Sequence, residues 1–159
     1  MSLDVYLRVP GERNANQGDR IYVRRDGATV EITRDEWDEM YPGRAPVVVT
    51  ADPLDDGYSY VYDANITHNL GKMAAAVAVE GNLRLYDVLW RPDEHGLTHA
   101  RDLIVPLRDG LAELQSDPDS YREYNPANGW GDYDGLVRFV VGYLTAVERW
   151  PDAEVEVSR

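Results

Sequence analysis

The stretch Asp63-Ala-Asn-Ile-Thr-His-Asn-Leu-Gly-Lys72 crowds two asparagines, a threonine, a histidine and the chain's single lysine into one short span. Leu70, Met73, Ala74 and Val77 recur at helical spacing just beyond it. A helix capped by Thr67 is therefore expected to start there. Its free backbone N–H groups and positive dipole end would suit a carboxylate or phosphate. Asn65, Thr67, His68 and Asn69 supply donors and acceptors at that corner, and Lys72 adds an ammonium one turn later. His68 is the candidate hydrogen-bonding group or general base. The alternative is purely local, with Asn65 and Thr67 capping the helix and His68 a structural histidine.

The second chemistry-bearing stretch is Tyr124-Asn-Pro-Ala-Asn-Gly-Trp-Gly-Asp-Tyr133. Glycines on both sides of Trp130 allow backbone conformations that other residues avoid, and the indole could serve as a lid or a stacking platform. Asn128, Asp132 and Tyr133 are the other candidate ligand contacts, and Asn128 and Asp132 could equally cap the helix that follows. His95 and His99 lie four apart with Asp93 and Glu94 beside them, which raises a metal site. Gly96 and Thr98 stand between them, however, and a third ligand would have to come from elsewhere. No metal is expected. Asp55-Asp56 and Asp117/Asp119 sit with Pro or Gly and read as turn formers. The sequence contains no Walker loop, dinucleotide fingerprint or nucleophile elbow, so no cofactor and no catalytic residue is assigned.

The elements that must position these residues divide the chain unequally. Residues 1–66 read mainly as strands. Leu3, Val5, Leu7 and Val9 alternate with polar positions, and Asp26-Gly27 marks a hairpin between 21–25 and 28–32. Pro10–Asp19 reads as a polar loop, Thr33 with Glu36 as a capping box opening a helix over 34–40, 47–50 as a short strand, 52–57 as a turn and 58–65 as a further strand. Residues 67–159 read mainly as helices. The first stops at Gly81-Asn82, a short one carries Leu85, Val88 and Leu89, and a longer one capped by Thr98 is kinked or broken at Pro106. The last presents Leu136, Val137, Val140, Val141, Leu144 and Val147, ends at Trp150-Pro151 and leaves an extended tail. The expected fold is a single α+β domain over 1–159: a small, mostly antiparallel N-terminal sheet packed against a helical C-terminal half.

Composition narrows the function classes. With 159 residues, 43% apolar, the chain can bury a core of ordinary size. It has no cysteine, which removes disulfides, thiolate catalysis and thiolate metal sites. No apolar run is long enough to span a membrane, so a soluble, cytoplasmic protein is expected. Twenty-nine acids against sixteen bases give a net charge of −13. That field repels nucleic-acid phosphates and disfavours direct nucleic-acid binding, and an acidic face could instead meet a basic protein partner.

The strings Asn65–Leu70, Leu-Trp-Arg-Pro (89–92) and Asn128–Tyr133, with the opening Met-Ser-Leu-Asp-Val-Tyr-Leu, resemble a family of small proteins of bacteriophages and bacteria, especially actinobacteria. The resemblance covers mainly residues 59–157, and residues 10–58 exceed the family's N-terminal part. It brings no established activity. What it implies is a phage or prophage context and a site drawn from Asn65–Asn69 and Asn128–Tyr133. Three functions are consistent with these readings. The first is a non-enzymatic pocket for a small polar, nucleotide-like ligand, with phosphate at the Thr67 helix start, a base on Trp130, and Arg84, Arg91 or Arg101 offsetting the negative field. In a phage setting it would sequester a host signal. The second is an acidic module that inhibits a basic or DNA-binding host protein. The third is a small hydrolase using His68 with Asp63. The first requires that the two polar stretches meet.

Overall fold

The computed structural model describes residues 1–10, 20–46, 48–49 and 58–159. Of the loop expected over Pro10–Asp19, Pro10 ends a strand, and residues 11–19, like the turn over 52–57, lie outside the described residues. The described chain forms two compact units, one of Met1–Val9 with Ser59–Arg159 and one of Pro10–Tyr58.

Strand β1 (Ser2–Pro10) opens the larger unit, and its alternation is literal: Leu3, Val5 and Leu7 are fully buried while their neighbours are half-exposed. The smaller unit follows with β2 (Arg20–Arg25), β3 (Ala28–Ile32), α1 (Arg34–Met40) and β4 (Val48–Val49), in sheet order β3-β2-β4. Asp26 and Gly27, at φ 50° and 80°, make the expected tight turn of the β2–β3 hairpin. The Thr33–Glu36 capping box opens α1 as expected. Ile21, Val23 and Ile32 form this unit's core, with Trp37 packed on it.

The chain re-enters the larger unit through β5 (Tyr58–Thr67) and continues through α2 (Gly71–Ala76), β6 (Ala78–Val79), β7 (Leu83–Arg84), α3 (Leu85–Trp90), α4 (Ala100–Ser116), α5 (Pro118–Arg122), α6 (Tyr133–Arg149) and β8 (Glu154–Ser158). The order β5-β1-β8 places the first strand in the middle of its sheet. β1 and β8 are antiparallel, with Val5 opposite Val157 and Leu7 opposite Val155. β1 and β5 also run in opposite directions: the His68 N–H donates to the Met1 carbonyl at one end, and the Tyr6 and Tyr60 rings meet at 5.5 Å at the other. The inner face packs on the helices, Tyr62 stacking on Tyr143 of α6 at 5.7 Å. The fold is α+β, an antiparallel sheet packed against helices, as the sequence predicts.

Five local expectations are corrected. The helix after Thr67 is a single 3-10 turn, His68–Leu70, followed by the six residues of α2. Gly81 and Asn82, both at positive φ, reverse the chain between β6 and β7 and do not merely stop a helix. Helix α4 runs unbroken through Pro106, because the buried Leu103, Leu107 and Leu114 hold both sides of the proline against one core. Its start is capped by Asp102, whose Oδ2 accepts the N–H groups of Thr98 and His99 at 3.1 and 3.0 Å, and Thr98 is not the cap. The buried face of α6 includes Phe139 and Tyr143 and leaves Val141 exposed, because the i, i+3, i+4, i+7 spacing from Leu136 turns 139, 140 and 143 inward and 141 outward. Among the described residues no helix is long and apolar enough to cross a membrane.

Candidate functional site

The two polar stretches meet. Gly131, at φ 97°, lies so close to the end of β5 that a Cβ placed on it would sit 2.7 Å from Thr67 Cγ2 and 3.0 Å from Leu70 Cγ. Only a glycine fits this contact, since both the space and the backbone angle exclude a side chain. The loop carrying Trp130 is thereby held against the turn carrying His68.

A cleft of about 580 Å³ opens beside that contact, lined by Met1, Ser2, Asn65, Thr67, His68, Asn69 and Trp130. The antiparallel pairing of β1 with β5 brings Met1 and Ser2 to its wall. Sequence reasoning missed both, because nothing local in the first two residues announces a partner more than sixty positions away. Trp130 is 71% exposed at the cleft, with its backbone N–H donated to Asn128 Oδ1 at 2.9 Å. The exposed indole is available for stacking on a planar group.

His68 is fixed from behind. Its Nδ1 accepts the Trp90 indole N–H at 3.0 Å, and an indole nitrogen can only donate. While that bond holds, the neutral ring carries its proton on Nε2. That Nε2 is buried and has no hydrogen-bond partner among the described residues. A buried unmet donor costs about 1–3 kcal/mol, which an accepting group would recover. Trp90 is itself 1% exposed and stacks on Tyr86 at 5.2 Å, so the anchor is rigid.

The other walls are amides and hydroxyls. Thr67 Oγ1 accepts the Asn69 N–H at 3.3 Å and the Asn69 side-chain amide at 3.1 Å, and Asn65 Nδ2 donates to Asp4 Oδ1. These bonds, with that from His68 N–H to Met1, occupy the His68 and Asn69 N–H groups, two of those that sequence reasoning reserved for phosphate. With only six residues in α2 behind them, the helix start is not a phosphate site. Arg91 and Arg101, two of the arginines expected to offset the negative field, are paired with Glu94 and Asp152. Neither they nor Arg84 lines the cleft.

The remaining candidates separate cleanly. Asp132 caps α6, accepting the Gly135 N–H at 2.7 Å. Tyr133 is 5% exposed and its hydroxyl donates to the Leu114 carbonyl at 2.8 Å, so it belongs to the core and not to the cleft. Lys72 is exposed and lines an adjoining cleft of about 460 Å³ with His68, Asn69 and residues 123–127. The dyad of His68 with Asp63 does not form: they stand five residue steps apart along extended chain, roughly 16 Å, and the ring nitrogen a carboxylate would orient is bonded to Trp90. His95 Nε2 lies 3.6 Å from Asp87 and His99 Nδ1 3.0 Å from the Thr98 hydroxyl. No three metal-ligating side chains gather among the described residues.

No protein-family model, curated protein or solved structure matches this chain. The reading of the site therefore rests on its own geometry.

Proposed function

We propose that the protein binds a small polar ligand carrying a planar, nucleoside-like ring in the cleft between the Thr67–Asn69 turn and Trp130. One observation carries this reading: two polar stretches some sixty residues apart, each unusual in composition, line the same cleft with an exposed indole on one wall. A flat ring would stack on Trp130, while the amides of Asn65 and Asn69 address its polar edge. Binding is favoured over turnover because, among the described residues, no carboxylate orients His68 and the side chains on the other walls are uncharged. In the phage setting implied by the resemblance, such a protein would withdraw a host signal from solution.

Thermal-shift measurements on the purified protein with a panel of nucleosides test this. A ligand at about 100 times its dissociation constant adds about 2.7 kcal/mol of stability. The expected result is a rise in melting temperature that is lost in Trp130→Ala. Absence of a shift across the panel, or a shift that survives that substitution, would overturn the reading.

A further inference from the structure

The adjoining cleft holds two opposite charges that do not meet. It is lined by His68, Asn69, Lys72, Glu123, Tyr124, Asn125, Pro126 and Ala127, and His68 and Asn69 also line the Trp130 cleft. The two clefts therefore share a wall one residue pair wide. Lys72, the chain's single lysine, forms no ion pair among the described residues, although the protein carries 29 acidic groups. Glu123 lines the same cleft and likewise forms no ion pair among the described residues. Elsewhere the exposed arginines are largely satisfied: Arg101 by Asp152 at 2.6 Å, Arg108 by Glu148 at 2.7 Å, Arg159 by Asp93 at 2.7 Å. An unneutralised ammonium next to a ring-binding cleft, in so acidic a chain, is a place for a ligand's anion.

We infer that the ligand is bipartite, a planar ring on Trp130 joined through a hydroxyl-bearing linker to an anionic group that reaches Lys72 across Asn69. The inference rests on the ring-binding reading above. The anion is held by a side chain in the second cleft and not by the start of α2. Glu123 repels a bare anion but accepts from hydroxyl groups, so the cleft matches a sugar bearing a phosphate better than an inorganic ion. The chemical class is that of a nucleoside monophosphate.

Isothermal titration calorimetry of the full chain with adenosine, guanosine, cytidine and uridine, each with and without a 5′-phosphate, tests the inference. For the nucleoside that binds, the phosphate is expected to tighten binding about tenfold, the gain typical of one charge-assisted hydrogen bond. In Lys72→Gln that gain disappears while nucleoside affinity is unchanged. In Trp130→Ala both ligands weaken together. Both side chains are exposed, and circular dichroism of each variant confirms that it folds. A nucleoside that binds with no gain from phosphate, or with a gain that survives Lys72→Gln, overturns the bipartite ligand and leaves the ring site standing. Binding of no member of the panel overturns both.

Discussion

Replacing Gly131 by alanine tests the contact on which the site depends. The new methyl would lie 2.7 Å from Thr67 Cγ2, 3.0 Å from Leu70 Cγ and 3.1 Å from Leu70 Cδ1. Leu70 is 1% exposed, so its side chain has nowhere to retreat. Two costs add. A side chain at φ 97° loses about 1–2 kcal/mol to backbone strain, and forcing a methyl into packed atoms costs about 1–3 kcal/mol. The sum is about 3 kcal/mol, or about 10 °C in melting temperature for a chain of this size. Gly129→Ala is the control, because φ there is 71° but nothing lies within 4 Å of the added methyl. It should cost the backbone component alone, about 1–2 kcal/mol. Differential scanning calorimetry of the two variants beside the parent protein reads the difference directly. Equal losses would refute the close approach of the Trp130 loop to the end of β5, and with it the shared cleft. If the approach is real, Gly131→Ala also weakens ligand binding and Gly129→Ala does so much less.

Further predictions concern the groups that hold the site in place. Tyr133→Phe removes the hydrogen bond to the Leu114 carbonyl and should cost about 1 kcal/mol in urea denaturation with ligand affinity unchanged; a loss of affinity in the folded variant would return Tyr133 to the site. Trp90→Phe deprives His68 Nδ1 of its donor and leaves a gap in the core, an expected loss of about 2–3 kcal/mol accompanied by altered imidazole nitrogen chemical shifts. Unchanged shifts would contradict the fixed tautomer. Burial first, and then the bond it donates to Glu113, push the Tyr121 phenol up to about 12. A pKa raised above the unfolded value near 10 stabilises fully below about pH 10, and that stabilisation is lost as pH rises toward about 12. The stability gap between the parent protein and Tyr121→Phe should therefore narrow across that window, and a gap independent of pH there would refute the assignment. Gly110→Ala would push a methyl to 2.8 Å from Leu85 Cδ1 inside the core, costing about 1–3 kcal/mol by calorimetry, and a neutral result would show that α4 can slide on α3.

Where a residue's state is decided by its neighbours in sequence, the chain is easy to read. The burial of Leu3, Val5 and Leu7, the Asp26-Gly27 turn and the Thr33 and Thr67 caps all follow from patterns a few residues long. What escaped is decided across the fold. Pro106 argues locally for a break, and the core on both sides overrules it. The tail after Trp150 becomes β8 only because β1 has an edge to offer. The site divides in the same way. Its polar residues stand out by type, but the distinction between Trp130, which faces the cleft, and Tyr133, which is buried, depends on how the loop lies on Thr67 and Leu70.

The position of β1 between β5 and β8 has a consequence for synthesis. The strand at the centre of the sheet leaves the ribosome long before either neighbour, and β8 follows it by about 150 residues. At about 5–20 residues per second that interval is roughly 7–30 s. Until β5 follows, about sixty residues after β1, Leu3, Val5 and Leu7 are an apolar row with no sheet to join, and their second partner comes only at the end of it. The larger unit therefore closes by the most sequence-distant pairing it contains, which slows folding and ties completion of the core to the last strand. Pro10–Tyr58 forms a compact unit within that interval, so the nascent chain would carry a folded insert while its opening strand still awaits both partners.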